Sequence, residues 1–110
     1  MTLELANITF DCHNVALVST FWSAALGKPI APEANEFFAQ ISGTPNWFFA
    51  AVPEPKTAKN RTHLDLHGSD REAEVERLIA LGATRTDDHD AWGTRWTVLA
   101  DPEGNEFCVA

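Results

Sequence analysis

With 110 residues, 45% of them apolar and 22% charged, the chain can bury one core but not two independent ones. Sixteen acidic against eight basic side chains leave a net charge of −8 and no basic cluster, which argues against nucleic-acid partners, whose phosphates are met by Lys and Arg. No apolar run approaches the roughly 20 residues of a membrane span, and the N-terminus MTLELANITF lacks the basic and apolar regions of a secretory leader.

Two cysteines, Cys12 and Cys108, are too few for a disulfide framework, so reduced thiols in a cytoplasm are expected. Leu3 to Phe10 alternates as a strand, with Ile8 and Phe10 on one face and Leu5, Asn7 and Thr9 on the other. Asn14 is an N-cap for a helix from Val15 to Leu26, and Gly27 supplies its left-handed C-terminal position. Val15, Val18, Trp22 and Ala25 form that helix's apolar stripe. Phe37 to Ile41 and Trp47 to Val52 read as strands joined by the turn Ser42-Gly43-Thr44-Pro45-Asn46. The polar, proline-bearing stretch from Pro53 to Asn60 reads as a linker.

Beyond it the order recurs. A strand from Thr62 to His67 precedes a helix from Asp70 to Leu81, with Ser69 and Glu72 as a capping box and Val75, Leu78 and Ile79 as its buried stripe. Gly82 and a short strand near Ala83 to Thr86 follow. Asp87 to Gly93 reads as a solvated acidic loop, because it lacks the glycine and late glutamate of a calcium loop. The chain closes on WTVLADPEGNEFCV, Trp96 to Val109, a hairpin whose turn Asp101-Pro102-Glu103-Gly104 has proline second and glycine fourth.

A strand ending in Asp-Pro-x-Gly-Asn before a last strand resembles the closing hairpin of the vicinal oxygen chelate superfamily, which includes glyoxalase I, extradiol dioxygenases and bleomycin-resistance proteins. Thr62-His63-Leu64-Asp65-Leu66, the helix from near Asp70 and then Leu81-Gly82-Ala83 look like the second half of that family's βαβββ repeat. The resemblance spans nearly the whole chain. It implies an α+β fold of two βαβββ modules, Met1 to Val52 and Arg61 to Ala110, forming a curved mixed sheet around a cleft with the helices on the outer face. Superposing the halves sets Asn7 against His63, Gly27 against Gly82 and Asn46 against Asn105. Period two then puts Asn7, Thr9, Trp47, Phe49, His63, Asp65, Glu106 and Cys108 on the cleft face. Ile8, Phe10, Phe48, Leu64, Leu66, Phe107 and Val109 fall on the helix face.

In metal-dependent members of the superfamily, ligands come from the first and last strands of each module, which implies Asn7, Phe49, His63 and Cys108 here. Only His63 is of the expected type. Asn7 is a poor transition-metal ligand, Phe49 is none, and Cys108 stands where a carboxylate is usual. Glu106 lies two residues earlier on the same face, so His63, Glu106 and Cys108 are the nearest approach to a three-ligand set, and no metal cofactor is expected. His63 with Asp65 permits a general base polarised by a carboxylate; the plainer reading is a sheet histidine satisfied by its neighbour. Nothing basic beside Cys108 in sequence would activate it as a nucleophile. Trp22 reads as core, whereas Trp47, Trp92 and Trp96 can reach the cleft.

Two functions stay open. One is a binding protein for a small aromatic or cationic molecule, with Trp47, Phe49, Trp92 and Trp96 as platforms and Asn7, Asp65, Glu106 and Cys108 as polar contacts. The other is a lyase, isomerase or dioxygenase of the same fold, using His63 with Asp65 or Glu106 for proton transfer. A module presenting a flat aromatic patch to another protein is a third class. The resemblance, together with the apolar surface that so short a chain leaves uncovered, further implies a symmetric homodimer.

Overall fold

A computed structural model describes residues 1–110. Nine elements follow in order: β1 (Asn7–Cys12), α1 (Val15–Leu26), β2 (Phe38–Ile41), β3 (Asn46–Ala51), β4 (Leu64–Leu66), α2 (Arg71–Leu81), β5 (Thr84–Ala91), β6 (Thr94–Ala100) and β7 (Glu106–Val109). The fold is α+β, with two open mixed sheets ordered β1-β3-β2 and β4-β7-β6-β5. The chain divides into two compact units, Met1–Pro55 and Lys56–Ala110. The second unit has the full βαβββ order. In the first, an isolated bridge from Ile30 to Ile41 stands where another strand would be.

The first unit is built on the parallel pair β1 and β3. Helix α1 begins where expected, because the Asn14 Oδ1 accepts the Leu17 N–H at 3.0 Å, and it ends at Gly27 with φ 66°. Its buried face carries Val15, Val18, Phe21 and Trp22. The Trp22 ring meets Phe10 at 5.5 Å and Trp47 at 5.1 Å, and Phe10 meets Phe49 at 5.5 Å. Trp47 and Phe49 therefore lie on the helix side, with Phe49 fully buried, and not on the open face assigned to them from sequence.

The reason is register. Asn7 pairs with Asn46 and Thr9 with Phe48, so the open face of β3 carries Asn46, Phe48 and Ala50. In the second unit Leu64 pairs with Phe107, and one step back along that register His63 stands opposite Glu106. Asn46 thus corresponds to Glu106, not to Asn105. A slip of one residue exchanges the two faces of a strand, and that slip carried Trp47 and Phe49 to the wrong side. Strand β1 is also later than expected, starting at Asn7 and leaving Leu3 and Leu5 exposed.

In the second unit α2 packs on a sheet face made of Leu99, Phe107 and Val109, with Val75 and Leu78 buried beneath it. Its N-cap is Asp70, whose Oδ1 accepts the Ala73 N–H at 3.2 Å, so the Ser69–Glu72 capping box does not form. Ile79 stays 38% exposed. The closing turn is held by buried Asp101, whose Oδ1 accepts the backbone N–H groups of Glu103 and Asn105 at 2.9 and 3.0 Å, and Gly104 takes φ 89°.

The acidic run is not a loop. Asp87 to Ala91 continue β5, which pairs with β6 as far as Ala91 and Thr94. Asp residues disfavour strands, but here Asp88 bonds Arg85 at 2.8 Å and Asp90 bonds Arg95 at 3.1 Å. Arg85 pairs with Leu99 and Asp87 with Val98, which leaves Thr86 as an extra residue in a bulge. The bulge resets the alternation. Arg85 and Asp88 meet on the α2 side, beside Glu72, while Asp87 and His89 turn to the opposite face.

Candidate functional site

The open face of the second sheet lines a cavity of about 590 Å³, bordered by side chains from β4, β5, β6, β7 and the segment before them. The parallel pairing of β4 and β7 sets Asp65 directly against Cys108. His63, two residues before Asp65, shares that face by the period of the strand. The His63 Nε2 lies 3.3 Å from the Asp65 Oδ1, and both side chains are more than half exposed. One ligand atom from each of His63, Asp65 and Cys108 falls within 4.8 Å of the others.

Glu106 is committed elsewhere. Its Oε1 accepts from the Lys56 Nζ at 2.5 Å and its Oε2 from the Asn60 N–H at 2.9 Å. Burial pushes the Glu106 carboxyl up, but the Lys56 ammonium and the Asn60 N–H outweigh it and hold it below the ordinary range. The second half of the expected linker is thus fastened to the second unit, and Glu106 has no carboxylate oxygen left without a partner. The Cys108 thiol, 6% exposed, is pushed up by burial and then by the negative charge of Asp65. A thiol so placed stays protonated near neutrality and is a poor nucleophile.

Aromatic rings form the other wall. Trp96 pairs with His89 across the β5–β6 ladder, and their rings stack at 5.1 Å and 20°. Trp96 also stacks with Trp92, at 5.9 Å and 5°. Trp92 occupies the hairpin tip at φ 52° with 92% of its surface exposed. His89, read from sequence as a solvated loop residue, is the site member that reasoning missed; its signal was the alternation Asp87, His89, Ala91, hidden by the low strand preference of the aspartates.

The sequence-assigned residues therefore separate. His63, Asp65, Trp92, Trp96, Glu106 and Cys108 all line this one cavity. Asn7 belongs to the first unit, where its Oδ1 accepts the Asn46 Nδ2 at 3.1 Å, and Trp47 and Phe49 are packed against α1.

A family model described as a glyoxalase-like domain matches residues 7–110. The chain belongs to the glyoxalase-like domain family. A search of curated proteins finds no match. Among solved structures, this glyoxalase-like chain is similar to a glyoxalase/bleomycin resistance protein/dioxygenase family enzyme from Burkholderia phytofirmans PsJN, at 20% identity and a TM-score of 0.81, with 97% of each chain covered. It is also similar to a bleomycin-binding protein from Streptomyces verticillus complexed with copper(II)-bleomycin, at 18% identity and a TM-score of 0.67, covering 100% of this chain and 97% of that one. A lactoylglutathione lyase from Agrobacterium tumefaciens matches at 13% identity and a TM-score of 0.70, covering 94% and 90%. At these identities the likeness is one of fold.

The metal set implied by the superfamily does not fit this glyoxalase-like chain. Phe49 is core, and its open-face neighbour Phe48, which stands where Cys108 stands in the second unit, is again a phenylalanine. Asn7 is bonded to Asn46, and Glu106 to Lys56. His63 and Cys108 alone remain of the implied positions, fewer than the three protein ligands a catalytic metal usually takes.

Proposed function

We propose that the cavity of the second unit binds a planar aromatic small molecule against the Trp92–Trp96 stack, without the metal set of the superfamily. The observation that supports this reading is the solvent-facing indole of Trp92, stacked on Trp96 at the cavity wall. Covering about 100 Å² of such surface with a flat ring gains roughly 2.5 kcal/mol, and the ring faces add a preference for a positive group, for which Asp65 is the exposed carboxylate. Glu106 offers little to a cation, since Lys56 neutralises it. Tryptophan fluorescence titrated with planar aromatic compounds, cationic and neutral, tests the reading. Saturable quenching weakened at least about tenfold by Trp96→Ala, a loss of about 1.4 kcal/mol, and kept in a folded Trp47→Ala variant is the expected result. Equal loss in both variants would refute it.

The second reading is an enzyme in which His63 moves a proton, and it is supported by the His63–Asp65 contact of 3.3 Å. A turnover found by screening and unchanged in His63→Gln would exclude that role. The proposed setting is a homodimer in a reducing cytoplasm. Exposed Leu3, Leu5, Phe37 and Phe38 support the first part, and Cys12 and Cys108, buried and outside any disulfide, support the second. No helix is long and apolar enough to cross a membrane.

A further inference from the structure

We infer that the ligand of this cavity is a zwitterion, an aryl or indolyl compound carrying an ammonium and a carboxylate on a short tether, as the aromatic α-amino acids do. Asp65 takes the ammonium and Lys59 the carboxylate. The inference rests on the aromatic platform proposed above and names the two charges that accompany it. Its basis is the set of charges on the cavity wall. Glu106 is paired with Lys56, and His89 has Asp87 beside it at 3.3 Å. Asp65 meets His63 through Oδ1, and with 76% of its side chain exposed it keeps room for an incoming ammonium. Lys59 lines the same cavity and enters no ion pair within the chain.

The fold holds both charges in place. Lys56, three residues before Lys59, and Asn60, next to it, are both fastened to Glu106, so the backbone that carries Lys59 is tied down by charge-assisted bonds on either side. Both charges act on one atom: burial pushes the Cys108 thiol up most, Asp65 adds to that, and Lys59 opposes it. The ammonium and carboxylate of a single small molecule need two such neighbours. Across the sheet Asp65, Cys108 and Val98 pair in turn, and Trp96 lies two residues along from Val98 on the same face. Two strand spacings of about 4.8 Å and two residues of about 3.4 Å set the Asp65 and Trp96 backbones roughly 12 Å apart. That span calls for charges on a tether, not on the ring itself. The net charge of −8 repels a plain anion at long range, whereas a zwitterion brings its carboxylate in with no net charge.

Isothermal titration calorimetry of the full chain with four compounds that share the indole ring and differ in charge tests the inference, with circular dichroism checking that each variant folds. L-Tryptophan carries both charges, tryptamine the ammonium, indole-3-propionate the carboxylate and 3-methylindole neither. L-Tryptophan should bind about fivefold more tightly than either singly charged compound, the upper range for an ion pair with access to solvent. Lys59→Met should bring L-tryptophan down toward tryptamine and leave tryptamine unchanged, and Asp65→Asn should bring it down toward indole-3-propionate and leave that compound no weaker. Trp96→Ala should weaken all four. Equal affinities for the four compounds, all lost in Trp96→Ala, would overturn the zwitterion and leave the platform standing. A charge-dependent series unmoved by Trp96→Ala would do the reverse. No binding of L-tryptophan, or equal loss of tryptamine and L-tryptophan in Lys59→Met, would overturn the inference as well.

Discussion

Trp47 and Trp96 sit on strands of similar make-up and meet opposite fates. Trp47 lies 5.1 Å from Trp22 and 5.7 Å from Phe10, inside the first unit's aromatic core, whereas Trp96 faces the cavity and stacks with both His89 and Trp92. Trp22→Ala, at a fully buried position, should cost about 3–5 kcal/mol in urea unfolding, and Trp47→Ala a large part of that. Trp96→Ala should cost far less stability and remove the ligand response instead. A comparable stability loss at Trp96 would mean that its ring is packing and not platform. Asp101 is the opposite kind of residue, 3% exposed and accepting from Glu103, from the Asn105 backbone and from the Asn105 Nδ2. Asp101→Ala should leave those donors unmet and destabilise the protein by at least about 2 kcal/mol, read by the same unfolding experiment.

At the level of elements, what could be read from sequence followed local chemistry. Asn14 with Gly27, Asp70 near its expected position, and the Asp101 turn each fix their own backbone, so both helices were legible to within a residue and the closing hairpin to within two. The outer part of β5, from Asp87 on, was not, because Asp88 meets Arg85 on one side only through the bulge and Asp90 meets Arg95 only once the hairpin has formed. Nor was the face of β3, which depends on whether Asn46 aligns with Asn105 or Glu106. The segment Lys56–Asn60 belongs here too: it is bound through Glu106 and is more than a spacer. A carboxylate whose folded pKa is depressed contributes stability above its unfolded value, near 4.3, and loses it as pH falls through the folded one. Glu106 is depressed, and Asp88 and Glu72 are held low chiefly by hydrogen bonds from Arg85. The melting temperature should therefore decline as pH drops below about 4.3, and decline less in Glu106→Gln. Superimposable curves for the two proteins would deny Glu106 that role.

For the whole molecule, the exposed leucines before β1 and the pair Phe37–Phe38 should be covered in solution. Light scattering at micromolar concentration is expected to give the mass of two chains, and Leu3→Asp with Leu5→Asp to shift it toward one; a monomer in the unaltered protein would remove the proposal. The bulge at Thr86 bears on how such a molecule changes through descent. Because Arg85 pairs with Leu99 and Asp87 with Val98, loss of the Thr86 codon would straighten the ladder and leave Asp88 and His89 on the faces they hold, whereas straightening it with Thr86 kept would set Asp88 opposite Trp96, in the cavity, and move His89 to the α2 side. Substitutions alter a binding wall one side chain at a time. Here a shift of one in the β5–β6 pairing would replace the wall outright, so diversification of ligand preference among chains of this design is expected to track changes that move or abolish the bulge more closely than other changes.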